Sequence, residues 1–170
     1  MRLLLVILLS LFVFSCSDEP KVLPPIDMNK IQEGLLEANK RAVGKESQQI
    51  DAYVQKKGLG VITTKTGLRY QVYHNEAGET IKKEQVAVVK YSVSLLDGTE
   101  CYSTENGVEE FLVAKDYVET GLHEGIQYLS VGDKAKIILP SHLAHGLAGD
   151  LKKIPIRSTI IYDIELVGIK

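Results

Sequence analysis

Residues 117–149 constrain the fold more than any other stretch, because a helix, a turn, a strand and a loop follow one another there. The apolar residues of the first part recur at helical spacing and predict one stripe on a helix of about three turns: Val118, Leu122, Ile126 and Leu129. After the Gly-Asp turn at 132–133, residues 134–139 alternate with the period of a half-buried strand. So short an apolar helix needs a large cover, and we expect it to plug a curved antiparallel sheet.

The flanking sequence supplies the strands of that sheet. Residues 86–95 give the clearest strand pattern, and Asp97-Gly98 then predicts a hairpin that returns through residues 99–104. Similar patterns predict further strands over 67–74, 109–113 and a last segment that starts at 160 and runs almost to the C-terminus. The predicted fold class is α+β: a curved antiparallel β-sheet of five to six strands wrapped around a short central helix, preceded by an N-terminal helix.

The N-terminus has the pattern of an export signal. Arg2 precedes an apolar run over residues 3–14, which is too short to span a bilayer permanently. Residues 13–16, Val-Phe-Ser-Cys, resemble a bacterial lipobox, so we expect residues 1–15 to be a signal peptide and Cys16 to carry a lipid. The alternative is an ordinary signal peptide that is cleaved elsewhere. Residues 16–26 hold three of the five prolines and predict an extended tether to the cell envelope, at the outer membrane or the periplasmic face.

The tether leads into a predicted helix over residues 27–57, which Asp27 can cap. Its apolar residues form one stripe that is resumed after Gly44: Ile31, Leu35, Ala38, Ala42, Ile50, Tyr53 and Val54. Two interpretations remain open. The helix forms a homodimer or gathers client proteins, or it packs on its own domain and serves as a spacer.

Composition and motifs exclude several classes of function. The net charge of −2 and the lack of a basic stripe give no nucleic-acid footprint. Once Cys16 is lipidated, only Cys101 remains, so no internal disulfide is expected. The nucleotide-binding and nucleophile motifs are absent. His142 and His145 lack a nearby Cys or carboxylate at ligand spacing, so we predict neither a metal site nor a cofactor.

A concave apolar site remains. Alternation places Tyr91, Phe111 and Tyr162 on the inward faces of three strands, which must cover Val118 and Leu122 of the helix. An aromatic-lined cavity with a few polar tips holds a proline or another compact apolar group. Ordinary core residues show the same pattern, so spacing alone leaves both interpretations open.

Three blocks resemble, in order and spacing, an FKBP-type peptidyl-prolyl cis-trans isomerase domain over residues 67–170. They are VVKYSVSLLDGTECYST, EFLVAKDYVETGLHEGIQYLSVGDKAKIILPSHLAHG and IPIRSTIIYDIELV. The signal, the N-terminal helix and the TGLRYQV segment are similar to isomerase lipoproteins of the macrophage infectivity potentiator and gliding-motility-associated kinds. The resemblance implies a folding catalyst or chaperone that acts on proline-containing polypeptides outside the cytoplasm without a cofactor.

Carried over position by position, the resemblance also implies the site residues. The proline pocket would comprise Tyr91, Phe111, Val118, Glu119, Leu122, His145, Ile154 and Tyr162, with a rim of Cys101, Tyr102 and Glu109. Leu122 stands where the family commonly has a Trp floor, and His145 where it has a Tyr whose hydroxyl orients the substrate carbonyl. Glu109 replaces an aromatic and Glu119 an Ile. These departures leave a second hypothesis, a catalytically weak FKBP-like domain that binds clients or a partner protein.

Overall fold

The computed structural model describes residues 27–105 and 107–170. The predicted signal peptide, Cys16 and the tether therefore lie outside the described residues. The chain divides into two units between Glu37 and Ala38. Asp27 caps the first helix as expected, since its Oδ1 accepts the N–H groups of Asn29 and Lys30 at 3.1 and 3.2 Å. Within the described ranges, no helix is long and apolar enough to cross a membrane.

The elements follow the predicted order. In sequence they are α1 (Met28–Lys57), β1 (Ile62–Thr63), β2 (Arg69–His74), β3 (Val86–Leu95), β4 (Glu100–Ser103), β5 (Glu109–Leu112), α2 (Thr120–Ile126), β6 (Lys134–Leu139), a short 3₁₀ helix (Ser141–Leu143) and β7 (Ile160–Ile169). The strands form one antiparallel sheet in the order β1-β2-β6-β7-β3-β4, and β5 pairs with β3. The α+β fold class is confirmed.

The sheet has seven strands in the described part of the chain, against the predicted five to six. The strand that the sequence did not predict is β1, which pairs Ile62 with Tyr70 and Thr63 with Arg69. Two residues are too few for a period-2 pattern, so this strand leaves no signal in the sequence.

Helix α2 lies on the inner face of the sheet and is shorter than the predicted stretch 118–129. Glu119 is extended at φ −58° and ψ 139°, so the helix begins only at Thr120. After Ile126 the chain continues in a tighter turn with a hydrogen bond between residues three apart, in which the Leu129 N–H donates to the Ile126 carbonyl at 3.0 Å. Val118 and Leu129 pack in the core although they lie outside the helix. Their apolar spacing therefore predicted correctly that they are buried, but it predicted the ends of the helix wrongly.

Glycine allows α2 to approach β6 closely. A Cβ atom at Gly121 would lie 2.6 Å from the Leu139 side chain, and one at Gly125 would lie 2.8 Å from Ile137. Both distances are far below a van der Waals contact, so larger residues would push the helix away from the sheet. The helix is thereby held as the inner wall of the core and presents Leu122 and Ile126, both buried, to it.

The outer face of the sheet is covered by the C-terminal half of α1. Ile50 is fully buried against Ile138 and Ile161, which form a second apolar cluster. The prediction that β6 is half-buried is therefore wrong at Ile138, because both faces of the strand are covered at that point. A hydrogen bond also links α1 to β2, since the Arg69 guanidinium donates to the Asp51 carboxylate at 2.7 Å. This part of α1 packs on its own domain.

Candidate active site

A cavity of about 560 Å³ opens between the inner face of the sheet, α2 and the loop that follows β6. It is lined by all eight residues of the predicted proline pocket: Tyr91, Phe111, Val118, Glu119, Leu122, His145, Ile154 and Tyr162. Two of the three predicted rim residues, Tyr102 and Glu109, line it as well. Residues from β3, β4, β5, β7, α2 and two loops thus meet at one site of the size that small ligands occupy.

The inner walls of the cavity are apolar. Phe111, Leu122 and Ile154 are almost fully buried, with 5, 3 and 3 % of their surface exposed. The rings of Tyr91 and Tyr162 meet edge to face, with centroids 5.4 Å apart and planes inclined at 65°. Such a surface excludes water from a compact apolar group and leaves the tyrosine hydroxyls as polar tips.

Glu119 contacts two other cavity residues. Its Oε2 accepts a hydrogen bond of 2.9 Å from the Tyr162 hydroxyl, and its Oε1 lies 2.9 Å from His145 Nε2. The Glu119 side chain is only 12 % exposed. Burial, and then the charge of Glu119 and its hydrogen bond, raise the pKa of Tyr162 well above its ordinary value, so the hydroxyl remains protonated as a donor.

Glu109 lies at the mouth of the cavity. Its Oε2 accepts a hydrogen bond of 2.7 Å from the Tyr91 hydroxyl. Burial, followed by this hydrogen bond and the charge of Glu109, raises the pKa of Tyr91 above its ordinary value. Glu109 and Phe111 stand two residues apart in β5, so their side chains lie on the same face of the strand, and both line the cavity.

The sequence did not single out Asp150, which also lines the cavity. It accepts hydrogen bonds from the Tyr102 hydroxyl and from the N–H groups of Lys152 and Ile154, the last two at 2.9 and 2.8 Å. Desolvation alone would raise the pKa of Asp150, but the Tyr102 hydroxyl and these N–H groups lower it to about 2. An Asp that bonds the N–H two residues on is a turn signal, but nothing local indicates its contact with Tyr102.

The rim position predicted for Cys101 is not the one that the structure shows. Cys101 is 2 % exposed and packs in the main core, where its thiol lies 3.9 and 3.7 Å from the carbonyl oxygens of Thr99 and Lys153. Successive residues of a strand point to opposite faces, so β4 offers Tyr102 and not its neighbour to the cavity. In the residues that the structure describes, no group of three or more His, Cys, Asp or Glu could hold a metal ion.

Comparison with known proteins bears on the same region. The sequence profile of the family described as FKBP-type peptidyl-prolyl cis-trans isomerase matches residues 77–167. The chain is 37 % identical over 133 residues to the FKBP-type isomerase FkpA of Escherichia coli K12, a match that covers 78 % of this chain and 47 % of the relative. FkpA of Aeromonas hydrophila is 36 % identical over 111 residues, covering 65 % of this chain and 41 % of the relative. The chain thus spans about half the length of the curated relatives it matches.

Solved structures agree. The crystal structure of E. coli FkpA superposes with a TM-score of 0.66 at 31 % identity, covering 85 % of this chain and 74 % of the other. A peptidyl-prolyl cis-trans isomerase from Pseudomonas syringae superposes with a TM-score of 0.67 at 21 % identity, and the match covers 77 % of this chain and 95 % of the other. At this identity the likeness shows the shared fold alone. With the family profile matched over more than half of its length, the chain belongs to the FKBP-type peptidyl-prolyl cis-trans isomerases.

Proposed function

We propose that this protein catalyses cis-trans isomerisation of peptide bonds that precede proline. The observation that carries the proposal is the cavity in which Tyr91, Phe111 and Tyr162 surround a space with Leu122 at its floor. The proline ring is the substrate part that such an apolar space accommodates, and the flanking peptide would leave through the open mouth. Family membership supports the same reaction.

The reaction needs positioning and desolvation rather than a nucleophile. An X-Pro bond crosses a barrier of about 18–20 kcal/mol because amide resonance resists twisting. A dry cavity that holds the proline ring favours the twisted amide, whose carbonyl has less need of water. Binding this twisted state more tightly than the planar one accelerates the reaction.

His145 is the proposed donor near the substrate carbonyl. It lies on the loop that overhangs the cavity, and Glu119 approaches its Nε2 to 2.9 Å. A carboxylate accepts hydrogen bonds and donates none, so it favours a proton on that nitrogen and restrains the ring. A substrate carbonyl would then have to share this N–H with Glu119 as a second acceptor. The Tyr162 hydroxyl donates to the same carboxylate, and Glu119 therefore orders two cavity residues at once.

The location of the protein is part of the proposal. A lipid on Cys16 would fix the chain to the cell envelope, and the tether over residues 16–26 would carry the isomerase domain, proposed to span 67–170, towards exported proline-containing polypeptides.

We further propose that α1 mediates a homodimer, since four large apolar side chains near its start are exposed: Met28, Ile31, Leu35 and Leu36. Sedimentation of the full chain at several concentrations tests this, and a monomer throughout would contradict it.

One assay tests the catalytic proposal. The purified protein is added to a proline-containing tetrapeptide, and the rate of cis-trans conversion is followed with and without a macrolide inhibitor of the family. We expect acceleration above the uncatalysed rate; a folded protein that gives none would refute the proposal. The second candidate, a weakly catalytic domain that binds clients, is favoured by the four carboxylates of the cavity lining, Glu109, Glu110, Glu119 and Asp150. It predicts suppression of client aggregation without catalysis.

A further inference from the structure

The loop between β6 and β7 carries His145 and is called the catalytic loop below. Glu46 of α1 is not part of the cavity lining, but it binds both ends of that loop. Its Oε1 accepts hydrogen bonds from the Ser141 N–H at 2.6 Å and from the Thr159 hydroxyl at 2.7 Å. Its Oε2 accepts the Ser141 hydroxyl at 2.8 Å. Ser141 and Thr159 are both buried, at 8 and 5 % exposure, so the carboxylate supplies partners that water does not readily replace.

Ser141 connects Glu46 to the backbone around His145 through further hydrogen bonds. The Ser141 carbonyl accepts the N–H groups of Ala144 at 3.0 Å and Gly146 at 2.8 Å, the residues on either side of His145. The Gly146 carbonyl in turn accepts the Arg157 N–H at 2.9 Å, which closes the base of the loop. A continuous series of hydrogen bonds therefore runs from the helix to the backbone that carries the proposed donor.

Thr159 makes the second connection, to the sheet. It directly precedes Ile160, the first residue of β7, and the same strand carries Tyr162. One carboxylate thus fixes the start of the loop at Ser141 and its end at Thr159. Between these points lie His145, Asp150 and Ile154, all of which line the cavity.

We infer that Glu46 is a positioning residue of the isomerase site, and that α1 sets the geometry of the catalytic loop. This inference rests on the proposed isomerase activity. Glu46 touches no part of the cavity lining except through the loop, so it does not contact substrate. Its effect is on where His145 is held, and misplacement of a positioned group lowers the rate of catalysis without removing the group.

The test uses Glu46→Ala, with Glu46→Gln as the conservative variant, in the full-length protein. A Gln can accept the Ser141 N–H and the Thr159 hydroxyl through its oxygen and donate to the Ser141 hydroxyl through its nitrogen. We expect Glu46→Ala to lose about tenfold in kcat/KM, mostly in kcat, because Phe111 and Leu122 lie outside the loop and still hold the proline ring. Glu46→Gln should restore the rate to within about twofold.

Asp51→Ala is the matched control. It removes another attachment of the same helix, the hydrogen bond from Arg69, without touching the loop. We expect it to leave kcat unchanged. An equal loss of activity in Asp51→Ala and Glu46→Ala would overturn the inference, because activity would then follow helix attachment in general.

Amide hydrogen exchange over residues 141–157 provides a readout independent of catalysis. Exchange should rise in Glu46→Ala and stay at the wild-type level in Glu46→Gln; unchanged exchange and activity in Glu46→Ala would refute the positioning role. If Glu46→Ala does not fold, Ser141→Ala, which removes one of the three hydrogen bonds, should show the same change to a smaller extent. A wild type without isomerase activity would refute the proposed function, and the exchange experiment would still decide whether Glu46 orders the loop.

Discussion

Replacing Glu109 tests whether the mouth of the cavity selects substrates by charge. Among the described carboxylates of the lining, Glu110 pairs with Lys170 at 2.7 Å and Glu119 lies against His145. Glu109 has the Tyr91 hydroxyl as its hydrogen-bond donor, so its charge is not balanced by a cation in direct contact. A Lys or Arg next to the substrate proline would come close to this carboxylate, whereas a Glu there would be repelled.

The size of the effect follows from the exposure of the site. Ion pairs at exposed positions contribute about 0.2–1 kcal/mol, so Lys-Pro should exceed Glu-Pro by about 1.4- to fivefold in kcat/KM. In Glu109→Phe this preference should disappear, apolar residues before proline should be favoured, and macrolide binding should tighten because the aromatic ring shields the amide from water. The change in stability should stay within about 0.5 kcal/mol, as is usual for surface positions.

The assay compares X-Pro peptides with X as Leu, Phe, Lys or Glu at low and high salt. At about 1 M salt the screening length falls to about 3 Å, so the preference for Lys should fade in the wild type. Glu109→Gln separates charge from shape, and Glu79→Gln, an exposed residue outside the lining, controls for net charge. Equal rates for Lys-Pro and Glu-Pro in the wild type, with the same profile in Glu109→Phe, would refute the argument.

Three further predictions concern anchoring, the cavity wall and acid stability. Cys16→Ser should leave the protein uncleaved or released from the membrane, and a membrane-bound, lipid-labelled product like the wild type's would contradict this. Phe111→Ala should cost about 3–5 kcal/mol of stability and lower the isomerase rate further than the folded fraction falls; equal losses would mean that Phe111 only supports the fold. Asp150 has a folded-state pKa of about 2 against an ordinary 3.8, so its stabilisation is complete above about pH 4 and is lost as pH falls through 2. The difference in unfolding free energy between the wild type and Asp150→Asn should shrink over that range, and a constant difference would contradict the role of its hydrogen bonds.

The aromatic wall of the cavity could be predicted from the sequence because strand alternation fixes the face of every residue. Tyr91, Phe111 and Tyr162 come from β3, β5 and β7, and each lines the cavity as its parity requires. The same rule could not predict Ile138, because alternation detects a single buried face and α1 covers the second one. Apolar spacing also predicted a longer helix than the α2 that the structure shows. The spacing indicates which residues are buried, but it does not indicate which of them make helical hydrogen bonds.

The polar contacts of the cavity could not be predicted from the sequence. Glu119 directly precedes α2, whereas His145 lies in a loop and Tyr162 in β7. Only tertiary packing brings the polar atoms of His145 and Tyr162 within 3 Å of the Glu119 carboxylate. Asp150 lies in a loop without periodicity, so neither its contact with Tyr102 nor its place in the lining left a signal. The attachment of the loop by Glu46 was equally hidden, because a single Glu in a long amphipathic helix looks like any solvated residue.

These polar contacts bear on the choice between catalysis and simple client binding. Unpaired carboxylates in a cavity retain water, and a hydrated cavity would hold neither a proline ring nor a twisted amide well. Each carboxylate of the lining has a partner: Tyr91 for Glu109, Lys170 for Glu110, Tyr162 and His145 for Glu119, and Tyr102 for Asp150. These hydrogen bonds and ion pairs give the carboxylates partners within the protein, and the apolar lining residues Phe111, Leu122 and Ile154 stay buried. The substitutions therefore change the charge at the mouth of the cavity while they preserve the apolar surface that isomerisation needs.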